Sequence, residues 1–226
     1  MARAVRLDEL RSRTLRRADM INSSFRTSTT GGEVDQIINA EYFLAYDLLI
    51  LADGDYFLEY QDFTTVAQQD AYSLPSTFYK IKGVDAFLTS GSSGAGTGLR
   101  RFRFDERNRY QNSGAWTVGS PVAYRTRGSS LIVAPKPPAG ITCRIWYHAV
   151  PTKLTSDSQT IDAVANIDEL IVIGSARKLL EEEGDLEAAG ILATEYVALK
   201  RDVEALVVSR DTGEPEQARD LYAGDE

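Results

Sequence analysis

The chain is poor in the residues that form cross-links, metal sites and nucleophilic pairs. It has one cysteine and one histidine in 226 residues, so no intramolecular disulfide can form and no zinc-binding spacing exists. Cys143 and His148 are five residues apart on a predicted strand, which places their side chains on opposite faces and disfavours a Cys–His nucleophilic pair. We therefore expect a buried thiol, a partly exposed histidine and a reducing compartment.

Long apolar runs and an excess of positive charge are also lacking. No stretch approaches the roughly 20 apolar residues of a membrane span, so we expect no membrane partner. The formal net charge is -8, which disfavours a protein that grips duplex DNA. The content of 43% hydrophobic and 26% charged residues is typical of a globular chain.

The charges that are present are unevenly distributed. Residues 1–26 contain seven arginines and three acidic residues. Residues 211–226 contain six acidic residues and one arginine, with glycine and proline and no periodic apolar face. We interpret this last segment as an extended acidic arm.

Helical periodicity occurs on both sides of the middle of the chain. Residues 7–20 form a short apolar stripe, and Thr30 and Glu33 have the spacing of a capping box before a long helix with two apolar stripes. Asn166 and Glu169 predict the N-cap of a third helix, and a fourth is predicted over residues 186–210.

Residues between about 55 and 155 favour strands instead. Runs rich in aromatic and β-branched residues alternate with turns marked by glycine and proline, such as 128–130 and 136–140. The glycine-rich stretch Gly91–Gly98 lacks the lysine of a phosphate-binding loop, so a hairpin tip is predicted there.

These patterns together predict an α+β protein: a four-helix bundle with an antiparallel β-domain inserted between its second and third helices, plus an extended C-terminal arm. The predicted borders are 1–54 for the first half of the bundle, 55–155 for the β-domain, 156–210 for the second half and 211–226 for the arm.

The second and third helices carry more apolar surface than one monomer should leave exposed, which indicates a homo-oligomer. The predicted subunit interface consists of Phe43, Tyr46, Ile50, Ile171, Ile173, Arg16 and Arg17.

The strongest candidate for nucleic-acid binding is the run that begins at Arg100. Arg100, Arg101 and Arg103 interleave with Phe102 and Phe104, a pattern that can hold phosphates and stack bases. A half-buried strand with one solvated face explains the same alternation and is favoured. A nucleic-acid-binding module using this strand remains the alternative function.

Catalytic and cofactor motifs are not found. The carboxylates of Glu181–Glu187 follow Arg177 and Lys178 by one helical turn, so ion pairs on a solvated helix face explain them. We therefore predict no enzyme activity, no catalytic, cofactor-binding or metal-binding residues and no cofactor. A hydrolase with a carboxylate site is a third, less favoured hypothesis.

The order of these segments resembles a known family. "LRSRTLRRADM", "INAEYFLAYDLLI", "DYFLEY", "RRFRFDERNRYQ", "YRTRGSSLIVAPKPPAGITCRIWYHAVPTKLT" and "DELIVIGSARKLLEEEGD", in that order, resemble the head-to-tail adaptor (connector) proteins of tailed bacteriophages. The resemblance covers roughly residues 7–205.

The resemblance implies a structural virion protein at the head–tail junction, synthesised in the host cytoplasm. It implies a homo-oligomeric ring of about twelve copies below the portal, which extends the DNA channel and attaches a downstream neck or tail protein. DNA would pass through without sequence-specific binding. The arm would contact the portal through Asp211, Glu214, Glu216, Arg219, Asp220, Leu221 and Tyr222.

Overall fold

The computed structural model describes residues 3–21, 32–51, 55–88, 96–111, 116 and 122–210. Contacts divide the chain into two compact units. The first, called here the helical unit, comprises Met1–Asp55 and Pro151–Glu226, and the second, called the β unit, comprises Tyr56–Val150.

The elements follow one another in a helix–strand–helix order. In chain order they are β1 (Arg3–Arg6), α1 (Leu7–Arg17), α2 (Glu33–Leu51), β2 (Leu58–Thr64), β3 (Ala71–Ser73), β4 (Phe78–Phe87), β5 (Thr97–Gly98), β6 (Arg100–Arg101), α3 (Arg107–Gln111), β7 (Ala123–Arg127), β8 (Ser130–Ala134), β9 (Thr142–Ala149), β10 (Thr160–Ala163), α4 (Ile167–Glu183) and α5 (Leu186–Arg210).

Helix α4 is the centre of the helical unit. It packs against α1, α2 and α5, and Leu170 to Ala176 is an unbroken buried run. A helix that is apolar around most of its circumference needs cover on several sides, and the other three helices provide it. The helix ends at Gly184, whose φ of 85° is the left-handed C-cap conformation that glycine adopts without strain.

A short antiparallel pair of strands connects the N-terminal part of the helical unit to the part that follows the β unit in the chain. Strand β1 pairs with β10, and Val5 lies opposite Ile161 with both side chains buried. Asn39 on α2 holds the segment before β10: its Nδ2 donates to the Leu154 carbonyl at 3.0 Å, and the Leu154 N–H donates to Asn39 Oδ1 at 2.7 Å. The buried amide therefore binds the returning backbone as a neighbouring strand would.

The β unit consists of two four-stranded sheets, ordered β2-β9-β4-β5 and β3-β8-β7-β6. Their inner faces share one apolar core. Its buried members are Tyr72, Val84, Ala86, Leu99, Trp116, Val122, Tyr124, Leu131, Val133, Cys143, Ile145 and Tyr147. Alternation along β8 and β9 places every second side chain in this core, as the period of two in a strand requires.

The second sheet is also covered on its outer face. Phe102 and Tyr110 pack at 5.5 Å between ring centroids, and both contact a small cluster that includes Ala123 and Ala134. Helix α3 thus covers the face of β7 and β8 opposite to the main core. Gly128, in the turn between these strands, has a φ of 57° that favours glycine.

The predicted four-helix bundle with an inserted antiparallel β-domain is wrong. The described residues form five α-helices and three sheets, an α+β arrangement in which one sheet includes a parallel pair, β6 with β7. Helices α2 and α4 each contact the three other long helices, and the fifth helix, α3, belongs to the β unit. Periodicity identified the helices but not their partners. The predicted domain borders stay a prediction.

Three local predictions concern a helix cap, the start of a helix and a strand. The capping box beginning at Thr30 lies outside the described residues. The third predicted helix does begin after Asn166, but Asn166 has a φ of 63° and makes no side-chain cap bond. The run from Arg100 is not one half-buried strand: β6 ends at Arg101, a 3₁₀ turn covers Phe104–Glu106, and α3 follows.

Candidate functional site

The arginines of α1 mostly bind carboxylates of their own chain. Arg11 is buried, and its Nε and Nη2 donate to Asp35 at 2.7 and 2.8 Å in a bidentate pair, while Nη2 also reaches Asp157 at 2.8 Å. The hydrogen bonds to Asp35 raise the pKa of the Arg11 guanidinium. This ion pair joins α1 to α2 and to the segment before β10, so it is a structural contact.

Arg13 of α1 and Arg3 of β1 bind carboxylates of α4. Arg13 donates to Asp168 at 2.8 Å and to Glu169 at 2.5 Å, and Arg3 also donates to Asp168. The two carboxylates lie in the first turn of α4, where negative charge is favoured by the helix dipole. The arginine-rich segment therefore completes the helical unit itself.

The residues predicted for the subunit interface occupy different environments. Tyr46, Ile50, Ile171 and Ile173 are buried within this single chain, and Phe43 is partly buried. Arg17 pairs with Glu195, and Arg16 is exposed, with no ion pair inside the part of the chain that is described. Their role between subunits stays a prediction.

Apolar surface that sequence reasoning missed lies elsewhere on the helices. Four of these side chains are on α5 and two on α2, and each is at least 46% exposed: Leu186, Ile191, Val197, Leu206, Leu44 and Leu51. On α5, Leu206 is 46% exposed, whereas Val203 and Val207 are buried. Because two apolar stripes run along these helices, periodicity alone could not identify the one that stays exposed.

A second buried charge lies between α2, α4 and α5. Lys178 Nζ lies 2.7 Å from a carboxylate oxygen of Glu41, which is 2% exposed on its side chain, and the Tyr196 hydroxyl donates to the other oxygen at 3.2 Å. Burial, followed by the nearby Glu41 charge, raises the pKa of Tyr196 to about 12. The carboxylate needs the space above Gly174, where an added Cβ would be 2.5 Å from its oxygen.

The arginine and phenylalanine run of the β unit surrounds a cleft of about 490 Å³, lined by Arg101, Phe102, Arg103, Phe104, Arg125 and Thr126. Phe102 is buried and unavailable for stacking, whereas Phe104 is 63% exposed. The guanidinium carbons of Arg107 and Arg125 lie 4.2 and 5.1 Å from the Phe104 ring centroid. The half-buried alternating strand that the sequence analysis favoured over base stacking is not formed.

The residues considered for nucleophilic chemistry are not arranged for it. Cys143 and His148 are both on β9 and both are buried, so the expectation of a partly exposed histidine is wrong. Burial raises the pKa of the Cys143 thiol to about 12. A thiol with such a pKa is protonated near neutrality and is a poor nucleophile.

Among the described residues, no group of three or more His, Cys, Asp or Glu side chains could hold a metal ion. No helix in that same part of the chain is long and apolar enough to cross a membrane. The residues predicted to bind the portal, from Asp211 to Tyr222, lie outside the described residues.

Comparison with known proteins identifies the class and then the family. A family model described as "SU10 adaptor protein" matches residues 6–219. This is a structural family of phage head-to-tail adaptors and not a family of enzymes. The chain belongs to the SU10 adaptor protein family, which confirms the resemblance seen in the sequence. No curated protein matches the chain significantly.

Proposed function

We propose that this protein is a head-to-tail adaptor that forms a ring of about twelve copies below the portal of a tailed bacteriophage. The ring extends the DNA channel and attaches the downstream neck or tail protein. The observation that carries the proposal is the family match over residues 6–219. The protein is synthesised in the host cytoplasm and resides in the virion at the head–tail junction.

The exposed apolar side chains support lateral association of copies. Leu51 is 73% exposed on α2, and Ile191 and Val197 are 66% and 50% exposed on α5. Burying such side chains between identical neighbours stabilises an oligomer by about 25 cal/mol per Å² of apolar surface. We place part of the subunit interface on these residues, together with Arg16, which is exposed on α1.

The acidic arm is proposed to bind the portal. Residues 211–226 contain six acidic residues and one arginine, and Leu221 and Tyr222 give the segment two apolar anchors. An extended segment gains contact area by wrapping over a partner. DNA passes through the ring without sequence-specific contacts, in agreement with the formal net charge of -8, since basic walls would retain the phosphates.

Electron microscopy of the purified full chain mixed with its portal tests the proposal. We expect rings attached to one end of the portal, and no ring on the portal would contradict the adaptor function. A variant that lacks residues 211–226 is expected to keep its circular dichroism spectrum and lose docking. The matched control keeps the arm but scrambles the order of its residues. If the truncated chain docks normally, the arm is not the portal contact.

A further inference from the structure

The arginines around Phe104 contrast with Arg11, Arg13 and Arg144, each of which forms an ion pair with a carboxylate of its own chain. Arg101 and Arg103 are exposed, and Arg107 and Arg125 are partly exposed. Within the described part of the chain, none of these four guanidinium groups forms an ion pair. By contrast, Arg144 of the same unit binds Asp62 through two bonds of 2.7 and 2.9 Å.

The two nearest acidic residues in the chain do not neutralise the cluster. Glu106 accepts the backbone N–H of Arg103 at 2.8 Å, so its carboxylate is engaged in holding the 3₁₀ turn. Asp105, the other acidic residue of this turn, is exposed and does not line the cleft. Among the described residues, the lining therefore presents three arginine side chains, from Arg101, Arg103 and Arg125, and no carboxylate.

Aromatic contacts hold part of the cluster in place. The guanidinium carbon of Arg125 lies 5.1 Å from the Phe104 centroid and 5.9 Å from the Phe102 centroid. Arg107 packs on Phe104 at 4.2 Å and donates to the Phe104 carbonyl at 3.1 Å. A guanidinium group stacked on a ring keeps the N–H groups at its edge available for an anion. Because stacking already restricts the side chain, less conformational entropy is lost when the anion binds.

We propose that this cleft binds a segment rich in glutamate or aspartate from a partner protein, through bidentate contacts of Arg101, Arg103 and Arg125 with its carboxylates. Arginine is suited to this role because its planar fork matches the two oxygens of a carboxylate. Every described residue of the lining belongs to the β unit, so binding can be tested without a portal protein.

A protein carboxylate is favoured over nucleic acid by three features of the site. Phe102 is buried, and Phe104 is contacted by two guanidinium groups, so neither ring is available to stack on bases. The arginines converge on one cleft of about 490 Å³ rather than following a groove. The chain's formal net charge of -8 also opposes a long polyphosphate more strongly than a short acidic peptide.

The test measures binding of a fluorescent octaglutamate peptide to the full chain at low salt by fluorescence anisotropy. We expect the affinity for this peptide to fall about tenfold or more when Arg101 and Arg103 are both replaced by alanine. The loss of one charged hydrogen bond is enough to lower an affinity about tenfold. Both side chains are exposed, so the variant should fold normally. The single variant Arg125→Ala is expected to weaken binding as well.

The matched control replaces Arg109 and Arg127 by alanine. Each is close in sequence to an arginine of the cluster, and neither lines the cleft. This control changes the net charge equally and should leave the affinity unaltered. An equal loss in this control, or no binding by the unaltered chain, overturns the proposal. A single-stranded octathymidylate that binds more tightly than octaglutamate, with the same dependence on Arg101 and Arg103, would assign the cleft to nucleic acid instead.

Discussion

The two units of this adaptor are stabilised by different kinds of interaction. The helical unit places charged groups inside: Asp35, Glu41 and Asp168 are at most 3% exposed, and each binds a cation of its own chain. The β unit has an apolar core between two sheets, and its bidentate pair, Arg144 with Asp62, lies nearer the surface. The difference shows that similar ion pairs contribute unequally, because burial sets the cost of breaking them.

Buried charges also specify partners more narrowly than apolar contacts do. Arg11 is satisfied only where Asp35 and Asp157 are both in place, which fixes α1 against α2 and the segment before β10. Apolar side chains in the β unit tolerate small shifts because dispersion has no preferred direction. We therefore expect substitutions of equal chemistry to have unequal effects in the two units.

The largest effect is expected from Asp35→Ala in the helical unit. It leaves the buried Arg11 guanidinium with Asp157 alone, and breaking a buried pair costs about 3–5 kcal/mol. Urea unfolding followed by circular dichroism measures the loss of unfolding free energy. A loss below about 1 kcal/mol would show that the Arg11 site is well solvated and would remove the contrast between the units.

An intermediate effect is expected from Gly174→Ala in α4. The new Cβ would lie 2.5 Å from a Glu41 oxygen and 2.8 Å from the Tyr196 ring, and overpacking of this kind costs about 1–3 kcal/mol. Gly190→Ala on α5 is the matched control, because nothing lies within 4 Å of its Cβ. Alanine there should stabilise the protein by about 0.5–1 kcal/mol, so two variants of identical chemistry should move the melting temperature in opposite directions.

The smallest effect is expected from Asp62→Ala in the β unit. Its pair with Arg144 is partly exposed, so the loss should stay below about 1 kcal/mol at neutral pH. The hydrogen bonds from Arg144 lower the pKa of Asp62 below its ordinary value of 3.8. The stabilisation is therefore present above pH 3.8 and is lost as the pH falls through the lowered value.

Unfolding measured from pH 7 down to pH 2 checks this third expectation. The Asp62→Ala curve should converge on that of the unaltered chain at acid pH. A loss at neutral pH as large as that of Asp35→Ala would contradict the comparison on which all three predictions rest.

Residue patterns of the sequence were sufficient for the long elements. The helix predicted over 186–210 is α5, and the strands predicted around the turns at 128–130 and 136–140 are β7, β8 and β9. These segments have strong periodicity or turn residues with a steric requirement, such as Gly128. Their structure is encoded locally.

The elements that were missed depend on distant partners. Strand β1 buries one residue in four, Val5, and its pairing with β10 makes it a strand. The sequence does not reveal that Arg11 and Arg13 bind carboxylates of their own chain, because Asp157 and Asp168 lie far along it. Likewise, α3 forms after Arg103 where alternation favoured a strand, since Tyr110 packs on Phe102 across the outer face of β7.

The connection between Arg11 and Asp157, and that between Arg13 and Asp168, has a consequence for biosynthesis. These partners are 146 and 155 residues apart, so the first helix is translated long before Asp157 and Asp168. During that interval Arg11 has only Asp35 of its two partners, while the intervening 95-residue β unit is translated whole. The helical unit can close only after the whole β unit has been translated.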